Sequence, residues 1–221
     1  MRIGVLLNGC GHRDGSEIHE AVLTLLGLEE AGAEPVCFAP DLAQAQVLNH
    51  QTGAAMPVTR NMLQESARIA RGKISPLSNC QISELSGLVI PGGSGTASNL
   101  CNFATAGQHM QVIGPVAGLL VEFHAARKPI GAVCISPIVL AKVFGASAPK
   151  LTLGSADLSV NPAAAAATTM GAKMEECAAT ACVVDPENRL VSTPAYMLDA
   201  KISEIRQGIA KLCAEVVRLA R

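Results

Sequence analysis

A short apolar run that ends in a cysteine and continues into a helix sets the architecture of this sequence. Residues 130–133 are apolar and lie between two prolines, which is typical of a buried parallel strand that leads directly into a helix. Cys134 stands at the junction, and Ala132 and Ser136, two positions away on either side, are small enough for a tight turn. The spacing predicts a cysteine nucleophile elbow, with a buried structural cysteine as the alternative.

The residues that follow Cys134 favour an ionisable thiol. Pro137 occupies a position where the first turn of a helix tolerates proline. The backbone N–H groups at this helix start would point toward the sulfur and stabilise a thiolate. We therefore expect a reactive thiol at position 134.

Strand and helix patterns alternate along the chain. The predicted strands span residues 2–7, 34–39, 85–90, 130–133, 151–154, 181–184 and 189–192. The predicted helices span residues 17–30, 61–71, 116–126, 137–144, 163–170 and 199–219. Ser16 is the expected cap of the first helix. This alternation predicts an α/β fold, a three-layer sandwich with a mostly parallel central sheet, in which residues 40–80 form an elaboration.

Composition narrows the classes of function. At 221 residues the chain is long enough to form one domain over residues 1–221. A net charge of −1, no Trp and one Tyr provide neither the cationic surface nor the stacking side chains that nucleic acid requires. No apolar stretch reaches the ~18 residues that cross a membrane, and the first residues lack the apolar core of a signal peptide. We expect no nucleic-acid partner and no membrane contact.

The eight cysteines are spread over the chain without a Cys-x-x-Cys pair and without a metal-binding histidine spacing. This pattern argues against a zinc site and against a disulfide framework. We expect free thiols, a cytoplasmic protein, and neither a metal nor another cofactor.

Three loops should meet at one edge of the sheet, because each follows the carboxyl end of a predicted parallel strand. They are residues 8–17, residues 91–96 and the elbow at Cys134. Gly92 and Gly93 would let the backbone approach a ligand closely. The N–H groups of Gly93 and Ile135 could then hold an oxyanion formed when the thiolate attacks a carbonyl.

Two acidic residues, Glu17 and Glu20, begin the first helix. A carboxyl group beside the thiol could donate a hydrogen bond to the thiolate and then shuttle a proton. Helical periodicity places Glu17 nearer the core face and does not decide between the two. His12 and His19 are candidate helpers. No histidine follows His124, so a triad whose base lies downstream of the nucleophile cannot form.

Six short motifs follow one another along nearly the whole chain. They span residues 8–11, 14–21, 37–41, 91–93, 134–137 and 193–197. In combination they resemble the ElbB family, also described as enhancing-lycopene-biosynthesis or sigma cross-reacting proteins. This family lies within the PfpI and class I glutamine amidotransferase-like superfamily.

The resemblance implies one flavodoxin-like, PfpI-type domain, a homodimer and Cys134 as the elbow nucleophile. The superfamily carboxylate that touches this cysteine maps to Glu20. ElbB-like proteins are credited with a cofactor-free glyoxalase activity that gives glycolate, and with a link to isoprenoid biosynthesis. Two departures argue against a peptidase or a glutaminase. Ile135 stands where PfpI-type peptidases carry histidine, and the His-x-Glu of amidotransferases is missing.

The hypothesis from sequence is therefore a glyoxalase-like lyase whose substrate is a small aldehyde. Cys134 would add to the aldehyde to give a hemithioacetal, and Glu20 would move a proton between the two carbons. The amides of Gly93 and Ile135 would hold the oxyanion. Two alternatives remain open: a redox or carbonyl-stress sensor whose thiol is oxidised without turnover, and an amidohydrolase in which a histidine of the first loop or helix reaches the thiol.

Overall fold

A seven-stranded, mostly parallel sheet forms the centre of the computed structural model, which describes residues 1–221. The strands are β1 Arg2–Leu6, β2 Glu34–Ala39, β3 Ile74–Pro76, β4 Gly87–Ile90, β5 Ile130–Val133, β6 Lys150–Leu151, β7 Lys173–Met174, β8 Val183–Asp185 and β9 Leu190–Thr193. The helices are α1 Ile18–Glu30, α2 Met62–Ile69, α3 Phe103–Ala106, α4 Gly114–Ala125, α5 Pro137–Phe144, α6 Pro162–Thr169 and α7 Ile202–Ala220. The sheet order is β3-β2-β1-β4-β5-β9-β8, and only β8 runs antiparallel to its neighbour. The predicted α/β class and mostly parallel sheet are confirmed.

Helices cover both faces of this sheet. Along β1, Ile3 and Val5 pack in the core beneath α1 and α7, whereas Leu6 packs on the other side with residues of α4 and α5. Strands buried on both faces are apolar throughout rather than alternating, as β4 and β5 are. None of the helices combines the length and apolar content needed to cross a bilayer.

Three short strands depart from the sequence prediction. The prediction missed β3, which pairs with β2 at the edge of the sheet. An edge strand tolerates Pro76, which has no N–H to donate to a ladder. The strand predicted over 151–154 is shorter, and this β6 pairs outside the main sheet with β7, which the prediction also missed. The N–H of Thr152 donates to Ser192 Oγ at 2.9 Å instead of extending that pairing.

The start of α1 also differs from the prediction, because Glu17 caps the helix instead of Ser16. A Glu17 carboxylate oxygen accepts a hydrogen bond from the Glu20 N–H at 2.7 Å. The Ser16 hydroxyl accepts from the Asn8 N–H at 3.0 Å and so ties the first loop to the end of β1. Glu17 therefore lies just before the helix, partly exposed, while Glu20 lies in its first turn with no exposed surface. The expectation that Glu17 lies nearer the core face than Glu20 is wrong.

Candidate active site

Cys134 occupies a tight turn between β5 and α5. Its φ angle is +61°, a left-handed conformation that costs a non-glycine residue about 1–3 kcal/mol and that is found at functional turns. The small side chains of Ala132 and Ser136 are fully buried on either side. The Ser136 hydroxyl donates to the carbonyl oxygen of Pro91 at 2.8 Å, which fastens the turn to the loop after β4. The structure thus has the backbone geometry of a nucleophile elbow.

The three predicted loops meet at this turn, since β1, β4 and β5 are neighbours in the sheet. The Ser94 N–H donates to the His12 carbonyl at 2.7 Å, and the Glu17 N–H donates to the Gly92 carbonyl at 2.9 Å. Gly93 has a φ of +107°, and a Cβ there would collide with the first loop at Gly15. Glycine at 93 therefore permits the close contact between the loops.

Glu20 is the acidic side chain that reaches the thiol. Its carboxyl group lies beside Cys134, because a Cβ added at Gly92 would be 2.5 Å from Glu20 Oε2 and closer still to the Cys134 Cβ. Glu20 Oε2 accepts from the Gly92 N–H at 3.0 Å, and Oε1 accepts from the Tyr196 N–H at 3.4 Å. The sequence predicts that the backbone at Gly92 approaches a ligand closely; in the structure the Gly92 N–H holds this carboxyl group. Ala195, which precedes Tyr196, has a φ of +42°, so a second strained residue orients one of the two donors.

The pKa of the Glu20 carboxyl group lies far above that of an exposed glutamate. Burial, with the negative charge of Glu17 acting in the same direction, raises the pKa of Glu20 from an ordinary 4.5 to about 8. The interaction with the Cys134 thiol opposes this shift without cancelling it. Near pH 7 the carboxyl group is therefore mostly protonated, and it can donate a hydrogen bond to the sulfur.

Neighbouring groups shift the pKa of the Cys134 thiol in both directions. Burial raises the pKa of Cys134 well above its ordinary value, and a charged Glu20 would raise it further. The backbone N–H groups of Gly93 and Ile135 lower it, because hydrogen-bond donors near the sulfur favour the thiolate. When Glu20 is neutral, its repulsion of a thiolate disappears. The two groups therefore titrate as a coupled pair.

A cavity of about 410 Å³ opens beside the sulfur. The residues that line it come from all three loops, from residues 97–104 and from the segment after β9. They are His12, Glu17, Gln46, Gly93, Ser94, Ala97, Ser98, Phe103, Ala104, Cys134, Ile135, Tyr196 and Met197. Gln46 shows that the elaboration at 40–80 reaches the site.

The two candidate histidines lie at the cavity or its rim, but neither hydrogen-bonds to Cys134. His19 Nδ1 lies 2.9 Å from the Tyr196 hydroxyl and is largely exposed. The His12 ring packs edge-to-face on His50, with ring centroids 5.1 Å apart. Burial lowers the pKa of His12, and the neighbouring His50 lowers it further. The arrangement gives no support to the amidohydrolase alternative.

Sequence reasoning did not assign a role to Tyr196, Met197, Phe103 or Gln46. Tyr196 and Met197 belong to a motif that carried the family resemblance, and Tyr196 is the only tyrosine of the chain. Phe103 is one of four phenylalanines, and nothing in its local pattern places it at the site. No group of three or more His, Cys, Asp or Glu side chains has the proximity that metal binding requires.

Comparison with known proteins identifies the family. The rat mitochondrial ES1 protein homolog is 39% identical over 224 residues, which cover 99% of this chain and 84% of that protein. The human mitochondrial glutamine amidotransferase-like class 1 domain-containing protein 3 is also 39% identical, with 99% and 83% covered. The chain belongs to the ES1 family. No family model matches the sequence.

Solved structures share the fold of the ES1-family chain. An isoprenoid biosynthesis protein with an amidotransferase-like domain from Ehrlichia chaffeensis is 36% identical to this chain and has a TM-score of 0.91. The match covers 100% of this chain and 100% of that protein's chain. Drosophila melanogaster DJ-1beta, at 17% identity and a TM-score of 0.53 over 99% of this chain and 95% of its own, shares the fold. The chain therefore has the amidotransferase-like fold, which DJ-1beta shares.

The names of the relatives correct one expectation about the ES1-family chain. The proteins from rat, human and zebrafish are all named as mitochondrial. The zebrafish protein is 31% identical over 98% of this chain. The expectation of a cytoplasmic protein is therefore wrong.

Proposed function

We propose that this ES1-family protein is a cofactor-independent, glyoxalase-like lyase of the ElbB type. It converts glyoxal, or a related small 2-oxoaldehyde, to a hydroxy acid such as glycolate. The observation that carries the proposal is the placement of the fully buried Glu20 carboxyl group beside Cys134 at a strained elbow, where burial raises the pKa of Glu20 to about 8. A link to isoprenoid biosynthesis belongs to the proposal, because the Ehrlichia relative is described as an isoprenoid biosynthesis protein.

In the first step Cys134, which has released its thiol proton to water, attacks as a thiolate, and its sulfur forms a bond to one aldehyde carbon of glyoxal. The electron pair of the C=O bond moves to oxygen, which takes the proton of Glu20 and gives a hemithioacetal. The N–H groups of Gly93 and Ile135, which lower the pKa of Cys134, would stabilise the negative charge that develops on this oxygen. Glu20 is then a carboxylate and can act as a base.

In the second step Glu20 removes the proton from the carbon that carries sulfur and returns it to the neighbouring carbon. A proton also moves from the first oxygen to the second, and the product is a thioester of glycolate. Water then attacks the thioester carbon and gives one proton to the Glu20 carboxylate, and the Cys134 sulfur leaves as a thiolate with the bonding electron pair. Glyoxal and one water give glycolic acid, so no oxidant or reductant is consumed.

The test is turnover of glyoxal to glycolate, followed by carbon-13 NMR, by the wild-type chain and by Cys134→Ala. We expect the variant to lose all protein-dependent turnover, because it lacks the sulfur that forms the hemithioacetal. Cys182→Ala is the matched control, since Cys182 does not line the cavity, and it should turn over like wild type. Full activity of Cys134→Ala would contradict the mechanism.

The same samples separate the enzyme from a thiol sensor. Intact-mass analysis after mild peroxide treatment shows whether Cys134 gains oxygen atoms. Glyoxal turnover without selective oxidation supports the lyase. Selective oxidation of Cys134 without any turnover supports the sensor instead.

A further inference from the structure

One side of the cavity beside Cys134 is lined by apolar side chains that have no role in the proposed reaction of glyoxal. Phe103 and Ala104 come from α3, Ile135 from the elbow, and Met197 from the segment after β9. Phe103, Ile135 and Met197 are partly buried and pack against the hydrophobic core, so the core holds them in place. These side chains form a fixed apolar surface next to the sulfur.

No Lys or Arg side chain lines this cavity. Glu17 contributes a carboxyl group to its polar side. Burial and His50 lower the pKa of His12, which keeps this imidazole mostly neutral at pH 7. A substrate with a carboxylate or phosphate would therefore lose its hydration without gaining a charged partner.

The size of the cavity also exceeds what glyoxal requires. Cavities of roughly 300–1,000 Å³ hold drug-sized ligands, and this one measures about 410 Å³. Glyoxal has two carbon and two oxygen atoms. If glyoxal reacted at Cys134, most of the apolar side would remain in contact with water.

We propose that the preferred substrate is an uncharged 2-oxoaldehyde with an aryl or branched alkyl substituent that packs against Phe103 and Met197. This inference rests on the proposed function and names its substrate class. The chemistry is unchanged: sulfur bonds the aldehyde carbon, the hydrogen of that carbon moves as a proton to the ketone carbon, and water cleaves the C–S bond. Phenylglyoxal and one water give mandelic acid.

The first experiment compares kcat/KM for glyoxal, phenylglyoxal and 4-carboxyphenylglyoxal, with the hydroxy acid products measured by chromatography. We expect phenylglyoxal to exceed glyoxal by about tenfold or more, the scale of discrimination that apolar pockets achieve. We expect the carboxylated analogue to fall at least about tenfold below phenylglyoxal. Equal values for the three compounds, or a preference for glyoxal or for the anion, would overturn the proposal.

Variants locate the preference within the cavity. Phe103→Ala should lower the ratio of kcat/KM for phenylglyoxal to that for glyoxal by about tenfold. Ala104→Lys adds a cation at an exposed lining position and should raise the relative kcat/KM of the carboxylated analogue by about threefold. Val121→Ala, an exposed position on α4 outside the cavity, should leave both ratios as in wild type. Unchanged ratios in Phe103→Ala would contradict the assigned position of the substituent.

A second measurement is independent of turnover. The rates at which N-phenyliodoacetamide, iodoacetamide and iodoacetate alkylate Cys134 are measured by peptide mass spectrometry and divided by their rates with free cysteine. The proposal expects N-phenyliodoacetamide to have the highest relative rate, iodoacetamide an intermediate rate and iodoacetate the lowest rate. If no 2-oxoaldehyde is turned over but this order holds, the proposed function fails and the ligand class stands. If the order is absent or reversed, the ligand class is wrong whatever the turnover.

Discussion

Glu20 combines complete burial with contacts to two backbone donors and one thiol. A carboxyl group in this environment exchanges a proton near neutral pH, because its pKa is about 8. Glu20→Gln keeps the shape and an N–H donor to the sulfur but cannot move a proton. We expect turnover of the 2-oxoaldehyde to fall by about 10²–10⁴-fold, while iodoacetamide still alkylates Cys134.

Glu29→Gln is the control for this prediction, because Glu29 lies at the exposed end of the same helix. It should retain wild-type turnover. Turnover within twofold of wild type in Glu20→Gln would show that another group moves the proton.

Gly92 is expected to be sensitive to the addition of one methyl group. A Cβ at position 92 would collide with the Cβ of Cys134 and lie 2.5 Å from Glu20 Oε2. Gly92→Ala must therefore separate the thiol from the acid, and a displacement of about 1 Å in such a pair costs about 10²-fold in rate. The measurement is kcat for the 2-oxoaldehyde. Gly114→Ala, which has open space around the added atom, should keep the wild-type kcat.

At the residue scale the sequence predicts the elbow but not the complete site. Cys134 is recognisable because its small neighbours and the following proline are local features of the sequence. Periodicity alone did not distinguish Glu17 from Glu20, because α1 begins after Glu17 and this cap depends on a bond to the Glu20 N–H. Phe103 and Gln46 reach the cavity through loop geometry, which local sequence does not encode.

At the scale of elements, α7 packs closely on the strand that leads to the site. A Cβ at Gly208 would collide with the carbonyl oxygen of Ala179 and lie 2.7 Å from Thr193 Oγ1. Thr193 ends β9, and its carbonyl accepts from the Cys134 N–H at 2.9 Å. We expect Gly208→Ala to lower the free energy of unfolding by about 1–3 kcal/mol, measured by urea denaturation.

Gly118 provides a matched comparison in another helix. It lies in α4, is exposed, and has no neighbour within 4 Å of an added Cβ. Gly118→Ala should raise the free energy of unfolding by about 0.5–1 kcal/mol, because alanine loses less backbone entropy in a helix. If both variants shifted stability in the same direction, the close packing of α7 would not be the cause.

The sequence predicts a helix where a periodic apolar pattern is long, and a strand where every residue of the segment is apolar and buried. The sequence predicts α7, β1, β4 and β5 because their apolar patterns are uninterrupted. It missed β3 because three partly buried residues that end in proline form a strand only through the neighbouring β2. Pairing with a distant segment, which local propensity does not report, decides such short strands.

For the whole molecule, two expectations remain predictions. They are the homodimer that the resemblance implies and the single domain over residues 1–221. Sedimentation velocity would measure the first, and a single cooperative unfolding transition seen by two probes would support the second. A monomer at micromolar concentration would contradict the homodimer.

The stability of the whole molecule should depend on pH through Glu20. Folding raises the pKa of this group from 4.5 to about 8, so the folded state holds the proton more tightly than the unfolded chain does. Its contribution to stability is complete below about pH 4.5 and is lost as pH rises toward 8, by at most about 1.4 kcal/mol per pH unit.

Glu20→Gln removes the titration, because an amide carries no proton to lose. Wild type should therefore lose stability relative to Glu20→Gln as the pH rises from 5 to 8. Urea denaturation at each pH measures the free energy of unfolding of both proteins. Parallel stability curves for the two proteins would show that the folded state does not hold this proton.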